Sequence, residues 1–167
     1  MLTLRHYMVE DIPTVHRELG CNPDMLTYTG WNPYATVEQT AEMVAHFMEG
    51  YATFQGDYSF IIDVDGTPVG TVAAYDYDEV AGSMEIGYSI FQPFWGHGYA
   101  TEAVKQLVDF LAAQGLHSLT AWTASENAAS AKVLTNNGFT QTEVHPNALE
   151  VGDRTFDQVF YQRILKK

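Results

Sequence analysis

A chain of 167 residues, 46% of them hydrophobic and 17% charged, is long enough to bury a core, and no linker-like, low-complexity or repeated stretch divides it, so a single domain spanning 1–167 is expected. A formal charge of −13 with only eight Lys and Arg argues against a nucleic-acid partner, because phosphate binding needs clustered cations; it suits a cationic acceptor, or simply solubility. The lone cysteine, Cys21, excludes an internal disulfide, and six singly placed histidines give no support to a metal site.

The opening Met1-Leu2-Thr3-Leu4-Arg5-His6-Tyr7 carries no long apolar leader and no later run reaches membrane length, so no membrane and a cytoplasmic location are expected. Residues 9–20 set Ile12, Val15, His16 and Leu19 on one helical face, with Asp11 and Pro13 suited to its start. A loop around Gly30-Trp31-Asn32-Pro33-Tyr34 precedes Thr36-Val37-Glu38-Gln39, a capping box opening a second helix that carries Ala41, Val44, Ala45 and Met48 and stops at Gly50. Residues 58–64 and 69–77 are β-branched and aromatic, and they flank Asp65-Gly66-Thr67-Pro68 as a hairpin; 83–91 reads as a third antiparallel strand.

Ala100, Ala103, Val104, Leu107, Val108 and Leu111 then keep one helical stripe that Gly115 ends, and 116–123 reads as a strand. The span 83–123 is therefore a β-α-β unit with parallel strands. Residues 128–136 form a short helix stopped by Asn137-Gly138, and 139–144 and 155–165 supply two last strands. The expected fold is α+β, or mixed α/β: a largely antiparallel sheet of six or seven strands with four helices.

The most informative segment is Gln92-Pro93-Phe94-Trp95-Gly96-His97-Gly98-Tyr99-Ala100-Thr101, which joins a strand to the strongest helix through two glycines. Residues without Cβ let a ligand approach the backbone, and the free N–H groups of a helix start attract anions, so this turn can hold a pyrophosphate without Lys or Arg. A dinucleotide fingerprint would want glycine where Thr101 stands and an acid at the end of the next strand, which instead reads Thr120-Ala121-Trp122-Thr123. A P-loop would need Gly-Lys-Ser/Thr, and a turn that merely starts a helix remains open.

Met84-Glu85-Ile86-Gly87-Tyr88-Ser89-Ile90, the glycine turn, Glu126-Asn127-Ala128-Ala129-Ser130-Ala131-Lys132-Val133-Leu134 and Asn137-Gly138-Phe139 together resemble the GNAT superfamily of N-acetyltransferases, in particular its ribosomal-protein N-terminal acetyltransferase-like branch. The resemblance implies that acetyl-CoA enters a V-shaped opening where the strand 85–91 splays from the parallel strand 116–123. It also implies that pantetheine pairs with the backbone of Tyr88 and Ile90, and that amides from Gly96 to Thr101 hold the pyrophosphate. Trp95 stands where the superfamily's phosphate loop usually has Gln or Arg; His97 is either side-chain help there or a solvent-facing loop residue.

Acetyl transfer to an amine needs a proton acceptor near the nucleophile and a proton donor for the departing thiolate. Glu85, on the strand that the resemblance places beside the acetyl group, is the candidate base, either directly or through water, against the alternative of an ordinary strand or salt-bridged residue. Ser130, one turn into its helix, is the candidate donor, against a hydroxyl bonded to an upstream carbonyl. Asn127 is read as a pantetheine contact, a helix cap or both. A backbone N–H near Ile90 is expected to polarise the thioester oxygen.

Tyr28, Trp31 and Tyr34 are candidates for the acceptor pocket, or plain packing, and Asp76, Asp78 and Glu79 form an acidic turn that suits a basic acceptor or solvent. The acceptor is expected to be a small-molecule amine or a protein N-terminus, and no metal is needed. Strand edges in this fold often pair, which allows a homodimer. The alternatives are a coenzyme A-binding sensor or interaction module without turnover and, more distantly, a nucleotide-dependent oxidoreductase.

Overall fold

The computed structural model describes residues 1–20, 36–50, 58–151 and 153–165. Strand β1 (Leu2–Arg5) leads into a helical segment made of a 3-10 turn (Val9–Asp11), α1 (Ile12–Val15) and a π turn (His16–Gly20). Helix α2 (Val37–Gly50), the antiparallel run β2 (Tyr58–Val64), β3 (Thr67–Asp78) and β4 (Ser83–Ile90), and α3 (Tyr99–Ala113) follow. The chain continues through β5 (Ser118–Ala124), α4 (Ala128–Asn136), β6 (Thr140–Val151) and β7 (Arg154–Ile164). The described strands form one sheet in the order β1-β2-β3-β4-β5-β7-β6, in which only β4 and β5 run parallel. This is the mixed α/β architecture expected, with β1 as a strand that the sequence reading did not assign.

Strand alternation distributes the core over both faces of the sheet. Phe60 and Ile62 of β2, Val72 and Ala74 of β3, and Met84 and Ile86 of β4 pack with Val104, Leu107 and Leu111 of α3 and Leu134 of α4. The alternate residues Ile61 and Phe91 face the other way, onto Val15, Leu19 and Val44. The capping box of α2 is present: Gln39 N–H donates to Thr36 Oγ1 at 3.2 Å and Thr36 N–H to Gln39 Oε1 at 3.1 Å. Its buried face differs from the expected one, because Thr40 and Val44 are buried with Met43 and Phe47 beside them, whereas Ala45 and Met48 are exposed.

The expected first helix is not regular, passing from a 3-10 turn through α1 into a π turn, and Asp11 anchors its start. Arg5 Nη1 and Nη2 donate to its two carboxylate oxygens at 2.9 and 2.7 Å, Met8 N–H donates to Oδ2 at 2.7 Å, and Arg5 Nε reaches Asp63 at 3.1 Å. Asp11 therefore locks the corner between β1 and the helical segment. Burial alone would push its carboxyl up, but the bonds from Arg5 and Met8 with the charge of Arg5 outweigh that and hold it below the ordinary carboxylate range.

A carboxyl depressed in the folded state lends stability above its unfolded value, near pH 4, and that stability is lost as pH falls through the lower folded value. Asp11→Ala is expected to cost about 2–3 kcal/mol at neutral pH, since it removes the two bonds to a partly buried guanidinium and leaves it Asp63 as its one carboxylate partner among the described residues. It should also flatten the acid end of the stability curve, as urea titrations from about pH 3 to 7 would read.

Candidate active site

The parallel pairing of β4 with β5 covers only Ser83, Met84 and Glu85, opposite Ser118, Leu119 and Thr120. Beyond Glu85, β4 stays bonded to β3 as far as Ile90, while β5 stays bonded to β7 as far as Ala124, so the two strands part into a V. Phe91 N–H donates to Val69 O at 2.8 Å, on the β3 side. By strand alternation Ile90, and with it Tyr88, turns its backbone groups into the gap, as a strand-like ligand requires. Trp95 Nε1 donates to Ile90 O at 2.7 Å, closing one end of that edge.

After a 3-10 turn (Gln92–Phe94), Gly96 at φ +86° and Gly98 at φ +75° take the left-handed conformation, with Gly98 as the N-cap of α3. A Cβ built at either would meet no atom within 4 Å, so space lies open in front of both. No side chain caps α3, and its first internal bond is Glu102 N–H to Gly98 O at 3.4 Å. The amides of Tyr99, Ala100 and Thr101 precede that bond and have no acceptor a full turn back within the helix, and His97 stacks on Tyr99 with ring centres 5.2 Å apart.

A cavity of about 1410 Å³ runs through the V. Tyr88, Ile90, Trp95, Gly96, His97, Gly98, Tyr99, Ala100, Thr101, Asn127 and Ser130 all line it. Asn127 Oδ1 accepts from Ser130 N–H at 3.2 Å and so caps α4, and Ser130 Oγ stands 2.6 Å from Tyr88 Oη. Burial pushes the Tyr88 phenol up to about 12, against the opposing hydrogen bond with Ser130. Asn137 Nδ2 donates to Thr101 O at 3.2 Å and Val133 O at 2.9 Å, tying the start of α3 to the end of α4.

Glu85 lies half-buried on the opposite face of β4 from Tyr88, where the V begins, but it is not among the residues lining the cavity. Burial pushes its carboxyl up; hydrogen bonds from Tyr75 and Trp122 oppose the rise and Asp76 adds to it. Tyr75 and Trp122 do line the cavity, and Tyr7, Met43 and Phe47 extend its wall on the α2 side. Sequence reasoning did not assign these residues, nor Lys132, a cation in the cavity wall on α4. Tyr75 had one legible signal, as an aromatic across a short hairpin from Glu85, its register partner.

Tyr28, Trp31, Tyr34 and Cys21 lie outside the described residues. Asp78 is engaged in its own turn, accepting from Val80 and Ala81 N–H at 3.0 Å each. No group of metal-binding side chains occurs among the described residues. No described helix is long and apolar enough to cross a membrane.

The family model of the acetyltransferase (GNAT) domain matches residues 1–140. The N-acetyltransferase p20 of Bacillus licheniformis is 29% identical over 143 residues, which cover 83% of this chain and 78% of that protein. The N-acetyltransferase YoaA of Bacillus subtilis is 28% identical over 120 residues, 71% of this chain and 68% of its own. Among solved structures, the RimL ribosomal L7/L12 alpha-N-protein acetyltransferase in complex with coenzyme A aligns with a TM-score of 0.88 at 22% identity, covering 98% of this chain and 93% of that one. Spermidine N-acetyltransferase from Vibrio cholerae, in complex with CoA and spermine, aligns with a TM-score of 0.87 at 19% identity, covering 98% and 95%. At these identities the structural likeness establishes a shared fold.

Proposed function

The chain belongs to the GNAT acetyltransferase family, and from that premise we propose that it transfers the acetyl group of acetyl-CoA directly to a primary amine, either a protein N-terminal α-amine or a small-molecule amine. The observation that carries this reading is the V between β4 and β5 opening beside the uncapped start of α3. An extended acyl carrier with a pyrophosphate needs an unpaired strand edge and an anion site side by side. The neighbours in fold that bind coenzyme A and act on protein N-termini or spermidine support the same substrate classes.

In this reading the amides of residues 96–101 hold the pyrophosphate, Tyr88 and Ile90 pair with pantetheine through their backbones, and Asn127 assists from the start of α4. Ser130 meets the departing sulfur from the α4 side, and Glu85, on the other face of β4, ends with the acceptor's proton. The donor and acceptor of protons thus flank the gap from opposite faces, so neither blocks the other's approach to the thioester. The work falls to one domain, and the single cysteine supports a cytoplasmic setting.

A thiol-release assay with acetyl-CoA against a panel of amines and N-terminal peptides tests this. Saturable release with at least one amine, together with calorimetric binding of acetyl-CoA but not NAD, is the expected result. Tight coenzyme A binding without release on any acceptor would instead establish a sensor.

A further inference from the structure

Between Glu85 and the cavity stand two side chains that bond to it, Tyr75 and Trp122. Tyr75 and Glu85 are register partners on β3 and β4, and Glu85 pairs with Thr120 two residues before Trp122, so all three side chains share one face of the sheet. Tyr75 reaches over β4 because Gly87 has no side chain: a Cβ there would stand 3.1 Å from Tyr75 Oη and 3.4 Å from its Cε1. The phenol therefore lies across the gap-lining stretch of β4, close to where an acetyl group following that edge would end.

We infer that Tyr75 is the catalytic residue that meets the acceptor amine, with Glu85 as the positioning carboxylate behind it. The inference rests on the acetyltransferase reading and assigns that reaction's proton path. The neutral amine nitrogen bonds to the thioester carbonyl carbon and the C–S bond breaks. One N–H proton of the acceptor moves to Tyr75 Oη, and the phenol's own proton moves to a carboxylate oxygen of Glu85. The phenol ends neutral and the carboxylate holds the proton until it passes to solvent; the electron pair leaving with sulfur takes the proton of Ser130, whose hydroxyl is restored from cavity water, so the enzyme ends each turnover unchanged. Trp122, which can only donate, fixes the carboxylate orientation. Burial and the nearby Asp76, which both raise the Glu85 carboxyl, favour its taking the proton.

The test is kinetic and uses the full chain. Tyr75→Phe is expected to lower kcat about 100-fold, at the low end for a positioned acid or base because water can partly replace the hydroxyl, with KM for acetyl-CoA unchanged. Glu85→Gln should lower kcat similarly, and the double variant should be no slower than the slower single one, since both groups serve one path. Gly87→Ala, which keeps both groups but displaces the phenol, should reproduce the Tyr75→Phe loss and add little on top of it. Wild-type turnover with a Tyr75→Phe rate equal to it, or losses that multiply in the double variant, would overturn the relay alone. A wild-type protein inactive on every amine would overturn the underlying acetyltransferase reading instead.

Discussion

Gly98→Val is expected to weaken acetyl-CoA binding about a hundredfold in calorimetry, which corresponds to roughly 3 kcal/mol. The protein itself raises no steric objection, since a Cβ at Gly98 meets nothing within 4 Å. Two other costs remain. A branched residue at φ +75° is strained by about 1–2 kcal/mol, and its side chain stands before the amides of Tyr99, Ala100 and Thr101, which no side chain caps. Hydrogen bonds to a charged group are worth about 1.5–3 kcal/mol each, so losing one or two accounts for the hundredfold. In a chain of −13 charge, little else can replace them. Gly66→Val separates the two costs, because Gly66 sits at φ +90° in the β2–β3 turn with equally open space. It should destabilise the fold comparably and leave acetyl-CoA affinity untouched. Equal affinities for wild type and Gly98→Val would remove the pyrophosphate from this turn.

The parts of the molecule legible in the sequence are those whose signals are local. The stripe from Ala103 to Leu111 repeats over a helix of 15 residues, and the caps at Thr36, Asn127 and Asn137-Gly138 are satisfied within a few residues of themselves. The glycine turn and the parallel β4–β5 pair follow from the same local punctuation. Strand β1 escaped because four residues carry too little periodicity, and its place depends on pairing with β2 some 60 positions away.

Helix α2 shows the complementary failure. Its sequence offers two neighbouring apolar stripes, and the choice of Val44 with Met43 and Phe47 over Ala45 and Met48 is made by Tyr7, Ile61 and Phe91 across the sheet. The site divides in the same way. Gly96, Gly98 and Asn127 in the cavity wall carry their signals in their own turns and could be named from sequence, whereas Tyr75 and Trp122 meet Glu85 only through strand register. Glu85 was found as a residue, but that it stands behind two aromatics is a fact of the sheet.

Ser130→Ala is expected to lower kcat by about 10²- to 10³-fold, within the range of positioned proton donors, and to change acetyl-CoA affinity less than about threefold. The helix should tolerate the change, because the Asn127 cap uses the main-chain N–H of Ser130 and not its hydroxyl. The chemistry should not tolerate it. Tyr88 Oη lies 3.0 Å from Ser130 O and 2.6 Å from Ser130 Oγ, with a single proton to give. When that proton goes to the carbonyl, the serine proton turns toward the phenol; when it goes to Oγ, the serine proton is free for the cavity. Charge developing on sulfur selects the second arrangement, and the start of α4, where Ser130 is the third residue, favours the same negative charge. A phenol held near 12 stays protonated through any ordinary assay, so Tyr88 remains a donor to Ser130 throughout. Tyr88→Phe should therefore cost less than Ser130→Ala, and the double variant should match Ser130→Ala alone, because Tyr88 acts through the serine. Loss of acetyl-CoA affinity in proportion to turnover would return Ser130 to a structural role.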